Sequence, residues 1–216
     1  MKTKTTKESR NLLIALLLGD GTICSNYVFK LSHGEQQSEY LEWKIKQLKD
    51  AGIKCNGLKW YTSTKGFNVG KKVCYTQLSI TPFIKVLRRV FYKPAKNIAN
   101  RKLLNRLDAK GIAIWYMDDG HINWQRRKDR SIKGFAIKIA TCVPKEQAQI
   151  LIDYFREVWN IRFYMFHEGR KKDSFSLACG TTEGKKFIEI VRPYVEQIPH
   201  MRYKIGYDES RYASNA

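Results

Sequence analysis

Two acidic residues, Asp20 and Asp119, each close a short apolar run, Leu12 to Leu18 and Ile112 to Met117, within the sequences Gly19-Asp20-Gly21 and Asp118-Asp119-Gly120. An apolar run followed by glycine reads as a buried helix with a glycine C′ cap. A carboxylate there meets the negative pole of the helix macrodipole, at a cost of a few tenths to about 1 kcal/mol. Something has to offset that cost twice, and a divalent cation shared between two such ends would do so. Two carboxylates brought close cannot both stay ionised without a cation, so they form either a proton-sharing acid pair or a metal site. Oxygen ligands with no His or Cys alongside favour Mg²⁺, which takes one or two carboxylates and phosphate oxygens. Such a site can generate a nucleophilic water and stabilise the leaving oxygen in phosphodiester hydrolysis. Lysines beside the scissile phosphate would neutralise charge in the transition state. Lys96 and Lys204 are the candidates, because they hold equivalent places in the two parts of the chain.

The elements that must position these groups form an internal repeat. Asp20 and Asp119 are 99 residues apart. After each comes a pair of short β-rich runs (Thr22 to Cys24 and Tyr27 to Ser32; His121 to Trp124 and Gly134 to Thr141), then an amphipathic helix, Gln37 to Ala51 and Lys145 to Trp159. These helices end in Ala51-Gly52-Ile53 and Trp159-Asn160-Ile161, now 108 residues apart, so a basic insertion of nine residues falls in Gln125 to Lys133. Two further strands follow in each part (Gly57 to Ser63 and Lys72 to Ile80; Arg162 to His167 and Ser174 to Cys179), then a helix, Pro82 to Phe91 and Glu183 to Val191. Lys96 and Lys204 keep the 108 offset. Both parts therefore read αββαββα, a pseudo-duplicated α+β protein with halves at 1–100 and 101–216 and a polar, partly helical linker from Asn97 to Asp108. Ala15 and Gly19 share one helix face and allow a close helix approach, whereas Ile114 and Asp118 occupy the matching places as a bulkier seam. Two such helices side by side would bring Asp20 and Asp119 together.

Composition narrows the partner. The 216 residues hold 40 Lys+Arg against 20 Asp+Glu, a net charge of +20 that calls for a polyanion, most simply nucleic acid. A membrane surface is the weaker alternative, because no stretch nears the roughly 20 apolar residues that span a bilayer. Met1 to Arg10 followed by Leu12 to Leu18 mimics a secretory signal, but the run is short and lacks a small-x-small cleavage site. The five cysteines, Cys24, Cys55, Cys74, Cys142 and Cys179, make no CxxC pair, so neither a disulfide framework nor a zinc site is indicated. An intracellular, non-secreted protein is expected, placed where host DNA resides: a bacterial or phage-infected cytoplasm, or an organelle.

At these residues the chain resembles the LAGLIDADG homing endonucleases in their single-chain, two-motif form. Leu13 to Gly21 is similar to the first nine-residue motif and Ile112 to Gly120 to the second, and Gln36 to Lys44 resembles the start of the family's second helix. The resemblance implies that the eighth motif residues, Asp20 and Asp119, bind divalent metal, Mg²⁺ with two or more ions per site, and activate water, with Gly19 and Asp118 beside them as further candidate ligands. It implies that Lys96 and Lys204 line the active-site pocket. A polar residue at the end of the second strand orders solvent in the family; Gln36 is the nearest match in the first half and Thr141 in the second.

The resemblance further implies two four-stranded antiparallel sheets forming a DNA-binding saddle, joined by a two-helix LAGLIDADG interface. The strands alternate long polar with apolar residues, as one contact face and one core face require. Lys30, Lys59, Tyr61 and Gln77 are candidate DNA contacts in the first half, and Lys138, Arg162 and Tyr164 in the second. The basic hairpin tips, with Lys65, Lys71 and Lys72, with Arg126, Arg127, Lys128, Arg130 and Lys133, and with Arg170, Lys171 and Lys172, would grip phosphates. The expectation is a monomeric endonuclease that hydrolyses both strands of a long, asymmetric double-stranded DNA target; cleavage across the minor groove with short 3′ overhangs is what the resemblance implies. No splicing segments flank it, so a free-standing or intron-encoded protein is expected. The rivals are an RNA-splicing maturase acting on its own intron, a DNA-binding protein that has lost cleavage, and a ribosomal-type RNA-binding protein, which leaves the paired aspartates unexplained.

Overall fold

Four helices open by one device. Thr6, Thr81, Asn100 and Asp108 each accept a hydrogen bond from the backbone N–H three residues on, those of Ser9, Ile84, Leu103 and Gly111. Each such cap stabilises its helix by about 1 kcal/mol. Pro82 then fits the first turn of its helix, where its missing N–H would have had no partner.

The computed structural model describes residues 6–64, 69–93, 95–169 and 173–206. The chain divides into two compact units, Met1–Asn97 and Ile98–Ala216. The first runs α1 (Lys7–Leu18), β1 (Thr22–Ile23), β2 (Phe29–Gly34), a 3₁₀ turn (Glu35–Gln37), α2 (Ser38–Asp50), β3 (Lys59–Thr62), β4 (Lys72–Leu78) and α3 (Pro82–Phe91). The second runs α4 (Arg101–Leu104), α5 (Ala109–Asp119), β5 (Gly120–Arg126), β6 (Ile132–Val143), α6 (Lys145–Trp159), β7 (Tyr164–His167), β8 (Phe175–Cys179), α7 (Thr181–Val195) and a 3₁₀ helix (Pro199–Ile205). Each unit is α+β with one four-stranded antiparallel sheet, ordered β1-β2-β4-β3 and β5-β6-β8-β7.

Strand alternation separates a core face from an open face in the first sheet, whereas Ser176 to Cys179 of β8 in the second are buried in an unbroken run. In the first unit Phe29, Leu31 and His33 of β2 and Cys74, Thr76 and Leu78 of β4 are buried beneath α2, with its Tyr40, Leu41, Ile45 and Leu48, and Ile84, Leu87 and Phe91 of α3 are buried as well. The second core is aromatic: Phe155 stacks on Trp115 at 5.9 Å and meets Phe163 at 4.6 Å, and Phe187 meets Tyr116 edge-on at 5.0 Å. Such pairs add about 0.5–1.5 kcal/mol each beyond the area they bury. Leu12 to Leu18 and Gly111 to Met117 are buried without a break, as continuous apolar runs require.

Two expectations about chain geometry are corrected. The glycines that follow the motif helices are not left-handed caps: Gly19 has φ −86° and Gly120 φ −90°. Glycine is needed nearby for space, since a Cβ on Gly21 would run into the Leu16 carbonyl and one on Gly120 into the Tyr116 ring. The left-handed caps stand one helix later, at Gly52 (φ 73°) and Asn160 (φ 53°), where the repeat aligns them. The second correction concerns the nine-residue insertion, which reads as a loop: Gln125, Arg126, Ile132 and Lys133 extend the strands, and the five residues between them form the turn. β5 and β6 have 7 and 12 residues against 2 and 6 in β1 and β2. The antiparallel register continues to Arg126↔Ile132, with an irregularity after Gln125.

Candidate active site

In the first unit Asp20 follows α1 by two residues, in a tight exit where the Gly21 N–H donates to the Leu16 carbonyl at 2.8 Å. Its carboxylate is 41% exposed. Lys96 reaches this exit: its Nζ donates to the Gly19 carbonyl at 2.8 Å and the Gly21 carbonyl at 3.3 Å. The end of α3 delivers it. Arg88 donates to the Ile23 carbonyl at 2.6 Å, the Tyr92 hydroxyl accepts from the Ile23 N–H at 3.2 Å, and the Arg88 guanidinium lies 4.3 Å from the Tyr92 ring. A bridge between Tyr92 and Lys96 turns the chain back toward α1.

The second unit repeats this geometry with other elements. Asp118 and Asp119, both half-buried, close α5, and the Lys204 Nζ donates to the Gly120 carbonyl at 2.5 Å. Lys204 is buried in the terminal 3₁₀ helix, and its own carbonyl accepts from the Tyr116 hydroxyl at 2.6 Å. Burial pushes the Tyr116 phenol far above its ordinary value, so it remains a donor. An ammonium beside the last carbonyls of a helix opposes the negative pole of the dipole, which relieves part of the cost of the neighbouring carboxylate. In the first unit the Lys96 ammonium occupies the carbonyl through which the candidate Gly19 would meet a cation.

The candidate Gln36 lies exposed in the 3₁₀ turn, and the neighbouring Gln37 is the one that faces the site, its Oε1 3.1 Å from His33 Nδ1. His33, which the sequence reading passed over, is buried at the end of β2 with Nδ1 3.5 Å from Asp20 Oδ2. Alternation with Phe29 and Leu31 was the signal that could have found it. Thr141, at the equivalent place on β6, donates its hydroxyl to the Phe175 carbonyl at 3.0 Å and so serves the sheet. His121 was also missed. It pairs with Lys138 across β5 and β6, and desolvation, then the charges of Lys138 and Lys204, hold its imidazole below the ordinary histidine value.

On the open face of the first sheet Lys30 stands between two rings, its Nζ 4.7 Å from Tyr61 and 4.8 Å from Tyr75, in register with Gln77, while Lys59 pairs with Tyr75. In the second sheet His121, Lys138, Ala178 and Tyr164 form one cross-strand row, with the Lys138 Nζ 4.8 Å from the Phe166 ring. Arg162 is exposed just before β7, its backbone N–H bound to Glu183. Lys72 belongs to the other face: it has the parity of buried Cys74, lies 4.4 Å from the Trp60 ring and pairs with Glu35 at 2.9 Å. Lys71 is exposed, and its carbonyl accepts from the Ser63 N–H near the hairpin tip. Arg126, Arg127, Lys128, Arg130 and Lys133 are exposed on the long second hairpin, where Arg130 takes a left-handed turn (φ 66°) and Arg126 donates to its carbonyl at 3.0 Å. Lys65, Arg170, Lys171 and Lys172 lie outside the described residues.

Two units built on αββαββα, with α1 and α5 each ending at an aspartate, a tight glycine and a lysine-bound carbonyl, define the two-motif class of LAGLIDADG proteins. Residues 10–187 match the LAGLIDADG DNA endonuclease family, and the chain belongs to it. It is 29% identical over 209 residues to "Protein RecA" of Mycobacterium shimoidei, covering 90% of this chain and 45% of that protein. It is 27% identical over 151 residues to "Intron-encoded endonuclease ai4" of Dictyostelium discoideum, covering 69% of this chain and 84% of that one. The chain thus spans less than half the length of the RecA relatives it matches. Among solved structures, the homing endonuclease I-WcaI bound to its DNA recognition sequence shares the fold at a TM-score of 0.77 and 21% identity, covering 95% of this chain and 89% of that one. The LAGLIDADG homing endonuclease I-GzeII in complex with its DNA target does so at 0.56 and 10%, with coverage of 95% and 89%.

Proposed function

We propose that the chain is a monomeric, divalent-metal-dependent homing endonuclease that hydrolyses both strands of a long, asymmetric double-stranded DNA site inside the cell. The observation that carries this reading is the repeated lysine contact, Lys96 on the Gly19 carbonyl and Lys204 on the Gly120 carbonyl. It places an ammonium within reach of each motif carboxylate's end of the helix, as phosphoryl transfer at two strands would use. The donor set fits a hard cation: the side chains of Asp20, Asp118 and Asp119 offer carboxylate oxygen, and Asp20 is open to solvent. Asp20 in the first unit, and Asp119 with Asp118 in the second, would hold Mg²⁺; when bound, the cation supplies Lewis acidity toward water and the leaving oxygen. Lys96 and Lys204 would counter the charge that builds on the phosphoryl oxygens. The basic open faces of the sheets, with Lys30, Lys59, Tyr61, Gln77, Lys138, Arg162 and Tyr164, would carry the DNA contacts, and the net charge of +20 supports a strong phosphate component. Among the described residues no helix is long and apolar enough to cross a membrane.

The test uses DNA spanning the insertion site of the chain's own gene, incubated with Mg²⁺ or EDTA, with both strands labelled. Cleavage by the wild type in Mg²⁺ alone, abolished in Asp20→Asn and Asp119→Asn, is expected. A wild type that leaves this DNA intact while accelerating the splicing of its own intron RNA would establish the maturase reading instead.

A further inference from the structure

Lys44 lies on the buried stripe of α2 with Tyr40, Leu41, Ile45 and Leu48, at 0% exposure. A lysine in that place costs several kcal/mol unless its charge is paired or hydrogen-bonded, and an aliphatic residue would fill the space without that cost. Its Nζ sits 3.0 Å from His33 Nε2 and 4.2 Å from the centre of the Tyr40 ring, whose negative face suits a cation. An ammonium has only protons to give, so Nε2 must accept, and the proton of a neutral His33 then sits on Nδ1. Nδ1 faces two oxygens, Gln37 Oε1 at 3.1 Å and Asp20 Oδ2 at 3.5 Å. The repeat does not copy this chain of contacts. Thr141 stands where His33 does, and Ile152 stands where Lys44 does.

We propose that buried Lys44 fixes the His33 tautomer and so holds an N–H donor between Gln37 Oε1 and Asp20 Oδ2, which makes the first unit's carboxylate a positioned ligand by a device the second unit lacks. His33 and Lys44 are positioning residues in this arrangement. It rests on the nuclease reading only in what it says of cleavage. A donor on one carboxylate oxygen limits rotation of the group, and partners of this kind typically change metal affinity about 10- to 100-fold.

The full chain with ¹⁵N-labelled histidine, free of metal, reports the tautomer by long-range proton–nitrogen correlation. His33 is expected as the Nδ1–H form, and Lys44→Met, which takes away the donor to Nε2, is expected to add a detectable Nε2–H fraction. Mn²⁺ titration followed by electron paramagnetic resonance should show an affinity loss of about 10- to 100-fold in Lys44→Met and in His33→Gln. In an Asp20→Asn background His33→Gln should add nothing, because it acts through that carboxylate. On doubly labelled DNA the same variants should slow one strand selectively. An Nε2–H tautomer in the wild type, or a His33→Gln effect that persists without Asp20, would overturn the proposal. If Lys44→Met fails to fold, the wild-type tautomer and the His33→Gln cycle decide it. A wild type with the assigned tautomer that binds Mn²⁺ through Asp20 but never cuts DNA would sink the nuclease reading and support the relay.

Discussion

Lys204 donates to the Gly120 carbonyl from inside the second unit, whereas Lys96 makes the matching contact with Gly19 from an exposed position. The two lysines therefore differ in what their removal leaves behind. Lys204→Met strands a buried carbonyl and should cost about 1–3 kcal/mol, a fall in Tm of several degrees for a chain of this size. Lys96→Met, whose carbonyl partners can turn to water, should cost under about 1 kcal/mol. Calorimetry separates the two, and cleavage assays on both should show losses of about 10²- to 10³-fold if each ammonium stabilises a transition state.

Gly21→Ala and Gly120→Ala should each destabilise by more than about 2 kcal/mol, because the added methyl meets the Leu16 carbonyl in one and the Tyr116 ring in the other. Gly57→Ala, with open space around its Cβ position, is the control and should change stability by less than about 0.5 kcal/mol. Urea unfolding midpoints measure all three. Equal midpoints would show that the motif exits relax around a side chain.

Burial, then the charge of Glu183, pushes the Cys179 thiol up to about 12, and burial raises Cys74 as well. Thiol titration at pH 8 should find Cys24 and Cys142, both exposed, reacting quickly, and Cys74 and Cys179 reacting only after unfolding. The folded state keeps Cys179 protonated while the unfolded chain ionises it from the ordinary value of 9.0. Its contribution is therefore complete below about pH 9 and is lost as pH rises toward 12, by at most about 1.4 kcal/mol per pH unit. Cys179→Ser should show a flatter decline of stability between pH 8 and pH 10 than the wild type.

DNA affinity should fall linearly on a log–log plot against salt, with a steep slope for so basic a chain. Lys30→Met and Lys138→Met should each weaken binding, and a reduction of the slope by about 1 would assign that side chain to a phosphate. An unchanged slope with relaxed target preference would assign it to a base edge. Tyr61→Phe, which keeps the ring beside Lys30, should leave the slope alone.

Much of this molecule is legible along its sequence. The apolar runs ending at Asp20 and Asp119, the offset that widens from 99 to 108, and the helix ends before Gly52 and Asn160 all follow from local pattern, because helix burial and strand alternation depend on residues a few places apart. The placement of Lys96 and Lys204 was readable for the same reason, through the symmetry of the repeat. Tertiary structure alone decided which polar side chain meets Asp20. Successive strand residues face opposite sides, and the 3₁₀ turn after β2 rotates the chain once more, so a shift of one residue exchanges exposed Gln36 for Gln37 and brings in His33. Nor does any local rule favour a lysine at a core position. Lys44 is tolerated there because α2 lays it over a histidine from β2 and the ring of Tyr40, contacts that exist only once the sheet and helix have packed.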